Sequence, residues 1–357
     1  MRRTPPIVLG AGPAGTAAAI RLAQGGAEPV LLDRDSEVGD ALCGGFLSWR
    51  TAKRLRRLGL DVAALGAQPV RRLALFTAGR TAEARLPGKA WGLSRHALDT
   101  AMRALAVEAG ARLEIDRARH VEPGLIEGER QEWRSDAILL ASGKHDVRGS
   151  PRPREDEDPA LGLRVRLPHH GRLTTLIGDR IELHLFDGGY AGIVLQEGGS
   201  ANVCLALRKS LLAEAGGDPK ALLAQLAERY PFFGARMALS GGGLAVDSVG
   251  AVPYGWIARD TAPGLYRLGD QAAIIPSLAG EGMAIAVASG EAAAKAWLAG
   301  KDAVRFQREF AAKARRPVGM AKLVWTTGET DRGAAMLTGL TRVFPPLAGL
   351  AMRLTRI

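Results

Sequence analysis

The chain has little of several things, and each shortage removes a class of protein. Only two cysteines, Cys43 and Cys204, occur in 357 residues. They are too few for a disulfide framework and lack metal-ligand spacing, so a reducing, cytoplasmic setting is expected. His96, His145, His169, His170 and His184 show no H-x-x-x-H spacing, and no metal is expected. There is no aromatic-rich basic motif and no zinc spacing, which leaves nucleic acid out of the expected partners. A G-x-S-x-G elbow is missing too, and with it the case for a Ser/His/Asp hydrolase. No uncharged run is both long enough and free enough of Gly and Pro to span a bilayer. The opening "MRRTPPIVLGAGPAG" sets Arg2 and Arg3 before an apolar run, but glycines and a proline break it, so a strand and turn is expected there rather than a leader.

Acidic residues are the scarcer charge: 37 Asp and Glu against 48 Lys and Arg leave a net charge of +11. Such a surplus favours phosphates, anionic cofactors or a membrane surface, and it also fits a merely arginine-rich protein. Apolar content of 47% and charged content of 24% are those of an ordinary globular protein. The length predicts two closely packed lobes rather than one core.

What is present begins with "PIVLGAGPAGTAAAIRLAQGGAEPVLLDRD", which reads as strand, tight turn, helix, turn, strand. Gly10, Gly12 and Gly15 form G-x-G-x-x-G. The first permits the turn, the second lets backbone approach a pyrophosphate, and the third packs helix on strand. Pro13 and Ala14 open the helix. Asp33, with Arg34 beside it, ends the second strand where a carboxylate can accept hydrogen bonds from a ribose. An acid there disfavours a 2′-phosphate, which leaves FAD or NAD. A helix is expected from about His96 to Ala109 with Ser94 as its N-cap, then a strand at 112–116. Arg95 is either a phosphate or flavin contact or a solvated helix-start arginine. "SDAILLASG" is a further apolar strand ending at Ser142-Gly143.

The stretch "LGDQAAIIPSLAGEGMAIA", 268–286, carries Gly269-Asp270, Pro276 and Gly280-Glu281-Gly282 before a small-sided helix that includes Met283. If FAD is bound, its flavin end must meet protein far from the glycine turn. Reduction puts negative charge on the N1–C2=O edge of the ring, and a helix amino terminus is suited to stabilise it. Gly280 and Gly282 leave room for that approach. Asp270 can hold ribityl hydroxyls, and Pro276 is expected as a rigid apolar wall. Ordinary turn residues before a helix are the plainer reading of the same stretch.

This stretch resembles the Gly-Asp motif of FAD-dependent monooxygenases of the p-hydroxybenzoate hydroxylase type and of the related geranylgeranyl reductases. "CGGFLS", Cys43 to Ser48, is similar to the C-G-G segment of the reductase branch, and "GGYAGIVLQEGGSANVCLAL" to its substrate-domain strand pair. The resemblance implies that Cys43 and Gly44 contact flavin or substrate. It also implies an α/β fold: a Rossmann-like FAD-binding domain, discontinuous in sequence, with an inserted antiparallel-sheet substrate domain. One departure stands out. Where the family usually has Asp-Gly, this chain has Ser142-Gly143 in "ASGKHDVRG", with Arg148 in the place of the motif's closing arginine. A serine offers one hydrogen bond and cannot oppose a positive group, so the route of electrons from NAD(P)H is left open.

Between about 160 and 257 short strands are expected, among them "GRLTTLIG", "RIELHLFDG", "YAGIVLQEGG" and "ANVCLALR", with residues 70–86 adding to the sheet and a helix at 219–230. "PREDED" is a charged connector. The expected division is 1–69, 93–155 and 258–315 for the nucleotide, 70–92 with 156–257 for the substrate, and 316–357 as a helical tail. Tyr190, Tyr254 and Trp256 are cavity or core aromatics. The last stretch sets Leu347, Leu350, Leu354 and Ile357 along one side and Arg353 and Arg356 on another. That is either a helix docked on the core or a lipid-entry helix giving peripheral membrane contact. The expected activity is hydroxylation of an apolar aromatic or polyketide-like substrate with molecular oxygen, through a flavin C4a-hydroperoxide. Reduction of prenyl-chain double bonds and a non-catalytic electron carrier are the alternatives.

Overall fold

The structure is a computed structural model describing residues 4–153, 157–241 and 243–357; positions 154–156 of the charged connector lie outside the described residues. Five short strands make a parallel sheet in the order Leu265–Arg267, Ile138–Leu140, Ile7–Leu9, Val30–Asp33, Arg112–Ile115. Ile7–Leu9 and Ile138–Leu140 are buried at every position. Such unbroken apolar runs belong to parallel strands covered on both faces. The Pro13–Gln24 helix follows the first strand, and the Arg95–Glu108 helix starts where Ser94 Oγ accepts from Ala97 N at 3.0 Å.

The Pro13–Gln24 helix packs on the Gly282–Leu298 helix with almost nothing between the backbones. A Cβ on Gly290 would stand 2.2 Å from the Ala14 carbonyl oxygen, and one on Gly15 would stand 1.8 Å from the Gly10 oxygen. Alanines and glycines therefore set the distance between the two helices. The far ends meet as well, for a Cβ on Gly25 would press on the Leu298 side chain at 2.4 Å, so the two helices run in the same direction.

A second sheet has eight strands: Val246–Val252, Ala160–Leu167, Ala201–Arg208, Gly189–Leu195, Arg180–Phe186, Gln68–Phe76, Thr81–Gly92 and Phe46–Leu47. It is antiparallel except where Arg180–Phe186 runs parallel to Gln68–Phe76. One expected strand is corrected: residues Gly171–Ile177 form a helix. The cause is local, because the His170 ring accepts from Arg172 N and only Leu173 and Ile177, one helical turn apart, are buried. The tail is helical, as Ala303–Gly328, Asp331–Val343 and Pro345–Leu354. It also departs from expectation, since the last helix ends at Leu354. Arg356 and Ile357 leave its surface and turn inward, where the Arg356 guanidinium meets Glu281 at 2.8 Å and stacks over Trp49.

Valine at Gly290 is expected to cost about 1–3 kcal/mol or more, because its Cβ meets backbone rather than a yielding side chain. Urea unfolding of Gly290→Val should show this as a lowered midpoint; an unchanged midpoint would contradict the close crossing.

Candidate functional site

One cavity of about 1170 Å³ runs between the two sheets and the tail helices. At one end lies the glycine turn. Gly10 has φ +108°, and a Cβ there would press on the Ala141 carbonyl at 2.5 Å. Ala11 N donates to Asp33 Oδ2 at 2.5 Å, Asp35 N donates to Oδ1 at 3.0 Å, and Arg103 lies 3.4 Å from Oδ1. Gly12 caps the Pro13–Gln24 helix without any side chain to take its free N–H groups. The Arg95 guanidinium stands 3.5 Å from where a Gly12 Cβ would be. Asp99 grips that guanidinium with two bonds of 2.9 and 2.6 Å. Burial alone would pull the Arg95 pKa down, but Asp99 more than offsets it, so Arg95 keeps its charge. A bare helix start beside a fixed guanidinium is a place for a pyrophosphate.

A second bare helix start faces the same space. Glu281 precedes the Gly282–Leu298 helix and offers its N–H groups no side-chain cap. A Cβ on Gly282 would meet no atom within 4 Å, so the approach is open. Gly280, with φ +65°, turns the chain into the helix. Gly269 N donates to Ser289 Oγ at 2.8 Å, which seats Asp270 on the cavity wall. Cys43 and Gly44 lie on the same wall. Asn202 Nδ2 donates to the Cys43 carbonyl at 2.9 Å, and Gly45 is crowded by the Gln196 amide at φ +68°. Ser142 spends its hydroxyl on the His145 carbonyl at 2.8 Å, and Gln271 Nε2 donates to the Gly143 carbonyl at 3.0 Å.

The cavity thus gathers Gly10, Gly12, Pro13, Ala14, Asp33, Arg34, Cys43, Gly44, Arg95, Ser142, Gly143, Gly269, Asp270, Gly280, Gly282 and Met283 on one surface. Three expected site residues do not line it. Gly15 is spent on helix–strand packing. Pro276 is buried, and its neighbours Ile275 and Ser277 form the wall instead. Glu281 turns its carboxylate away to Arg356. Arg148 is exposed and bridges to His120, and Trp256 is also off the lining. A nucleotide as long as FAD fits the residues present: two uncapped helix starts, a ribose-side carboxylate and a charged arginine all open into one space.

Sequence reasoning missed several groups. Asp99 had a signal, since it follows Arg95 by one helical turn. Arg103, Lys144 and Ser277 stood beside residues already singled out, in the Arg95–Glu108 helix, after Gly143 and after Pro276, but no motif marked them; Cys204 reaches the cavity from a strand distant in the chain. Leu73, Leu75, Ile181, Leu183 and Leu185 form an apolar roof, alternating along their strands as one face of a sheet must. Deep in the apolar part, Tyr190 donates to Ser277 Oγ at 2.9 Å, and the Tyr254 hydroxyl lies 2.7 Å from the same oxygen. Burial pushes both phenols up and the Cys204 thiol up to about 12, so all three hold their protons.

Comparison with known proteins agrees with this geometry. The FAD binding domain family matches residues 3–132. Digeranylgeranylglycerophospholipid reductase 2 of Methanopyrus kandleri is 28% identical over 312 residues, 80% of this chain and 75% of that protein. P. aeruginosa PqsL, solved in complex with 2-aminobenzoylacetate, superposes with a TM-score of 0.74 at 17% identity, covering 94% of this chain and 100% of that one. A geranylgeranyl bacteriochlorophyll reductase-like protein from Thermoplasma acidophilum gives 0.73 at 18% identity, covering 95% and 91%. The two structural likenesses establish a shared fold.

Arg95→Gln should weaken FAD binding by roughly 10- to 100-fold, the worth of a charged hydrogen bond; flavin fluorescence titration of the apoprotein checks this, and an unchanged affinity would count against the phosphate assignment. A second expectation concerns pH. Burial, only partly opposed by Arg356, raises the Glu281 carboxyl from 4.5 to about 7. The folded state therefore binds an extra proton between those values, and its stability falls as pH rises through that window. Glu281→Gln should flatten this slope in apoprotein unfolding curves, and an identical slope in both proteins would refute it.

Proposed function

We propose that the chain, whose residues 3–132 match the FAD binding domain family, is an FAD-dependent oxidoreductase of the monooxygenase and geranylgeranyl reductase superfamily, and that it saturates a carbon–carbon double bond in a long, apolar, lipid-like substrate. The observation that carries this reading is the character of the cavity beyond the second helix start. Its walls are leucine, isoleucine, valine and methionine side chains from the second sheet and the tail helices, and they continue as far as Leu347 and Met352. The curated relative from Methanopyrus kandleri is named a lipid reductase, which supports the same substrate class.

In this reading the stretches 1–69, 93–155 and 258–315 bind FAD, and 70–92 with 156–257 cover the substrate. The N–H groups of the Pro13–Gln24 helix and Arg95 hold the pyrophosphate, Asp33 the ribose, and Asp270 the ribityl chain. The start of the Gly282–Leu298 helix, beside Met283, balances the negative charge of the reduced ring. Bound and reduced, FAD supplies a hydride. With one carbon of the substrate double bond taking that hydride, the Cys43 thiol would give a proton to the other, so that the π bond is replaced by two C–H bonds. Water then returns a proton to Cys43. The leucine roof keeps the reacting carbons dry. NAD(P)H is the expected electron donor, bound in passing, since the sequence has no second glycine fingerprint.

Hydroxylation of a chain-bearing aromatic ring by molecular oxygen is the second reading. The Tyr190–Ser277–Tyr254 hydroxyls favour it, because they offer a phenol hydrogen-bond partners inside an apolar chamber.

The test uses FAD-loaded protein reduced by NAD(P)H and given a detergent-dispersed polyprenyl lipid without oxygen, then an alkylphenol with oxygen. Mass spectrometry should find two hydrogens added per double bond in the first. Oxygenated alkylphenol alone would overturn the reductase reading. Cys43→Ser should keep its FAD spectrum and lose roughly 100-fold or more in kcat, as expected for a proton donor; undiminished turnover would exclude Cys43 from that role.

A further inference from the structure

The tail carries an inverted pattern. Along the Asp331–Val343 helix the inward face is Ala334, Thr338 and Thr341, all buried. The outward face, one turn at a time, is Met336, Leu340 and Val343. A helix docked only on its own core puts its large apolar side chains inside and its hydroxyls out. Here they are exchanged. The pattern continues through Phe344, Leu347 and Leu350 of the next helix, which buries none of its residues fully. Of the nine large apolar side chains exposed among the described residues, seven fall between Leu323 and Leu350, which makes one surface rather than scattered positions.

Charge indicates what covers that surface. From Arg332 to Ile357 there are four arginines and no acidic residue, and the two acids just before them, Glu329 and Asp331, each face an arginine of another element, Arg208 and Arg229. Arg332, Arg342 and Arg353 are exposed. The cavity opens on the same surface, for Leu340 and Leu347 both line it and are about half exposed, at 45% and 49%. A second copy of the chain seated here would oppose arginines to arginines and seal the mouth. An anionic bilayer would neutralise the arginines, solvate the leucines and leave the mouth open to an apolar chain. No helix among the described residues is long and apolar enough to cross a membrane, so the contact is with the interface.

We infer that residues 323–354 form a docking surface for the headgroup and upper acyl layer of an anionic membrane, and that the cavity loads its substrate directly from it. The loading step rests on the lipid-like substrate reading; the docking does not. The test is sedimentation of the full FAD-loaded protein with phosphatidylcholine vesicles, with and without phosphatidylglycerol. Binding should be roughly tenfold or more tighter with the anionic lipid and should weaken with salt. Val343→Ser combined with Phe344→Ser, neither of which lines the cavity, should keep the FAD spectrum and the turnover of detergent-dispersed substrate yet lose that binding roughly tenfold. No vesicle binding at low salt, or equal binding by the variant, would overturn the docking. So would a discrete dimer in light scattering that the variant dissolves, which would assign the surface to a second copy. Vesicle binding without turnover of any lipid would instead remove the reductase reading and leave the docking in place.

Discussion

The closeness of two helix backbones governs this structure. Gly290 lies against the Ala14 carbonyl with no room for a methyl group, and Gly15 lies as tightly against the first strand. At that spacing the Pro13–Gln24 and Gly282–Leu298 helices are packed backbone to backbone, and neither start has a side-chain cap. Uncapped N–H groups remain unsatisfied unless a ligand or water takes them. Two such starts on one cavity call for a ligand with negative charge at two separated points, and a long flavin nucleotide supplies them at its pyrophosphate and at its reduced ring.

The remaining features follow from holding that ligand. Arg95 adds full charge to the first helix start and is itself kept straight and ionised by Asp99. At the second start the nearest carboxylate would repel a reduced ring, and it is withdrawn: Glu281 pairs with Arg356, which the chain end delivers into the core. The tail therefore has two duties. Its last residues hold the start of the Gly282–Leu298 helix, and the helices before them wall the apolar end of the chamber.

The glycine turn, the Asp33 strand end and the 268–286 stretch were legible because each depends on neighbours in sequence: a turn, a cap, a strand end. So was the parallel sheet, whose strands are unbroken apolar runs. The 171–177 helix was not, since a ring nitrogen of His170 starts it and histidine is an unusual cap. Pro276 looked like a wall because proline in a loop is rigid, yet burial rather than rigidity decides what a side chain touches. Cys204 was invisible for a different reason, as only the tertiary fold brings its strand to the cavity, whereas Ser277 and Arg103 sat beside legible residues but carried no motif of their own. The inward turn of Arg356 was equally hidden: the helical period that set it beside Arg353 stops at Leu354.

The most direct measurement is the crystal structure of the FAD-loaded protein. The account expects the pyrophosphate within hydrogen-bond reach of the backbone N–H groups at Gly12–Ala14 and the N1–C2=O edge of the ring against those at Gly282–Met283. A flavin ring lying elsewhere, with the Gly282–Leu298 helix start facing only solvent or protein, would contradict it.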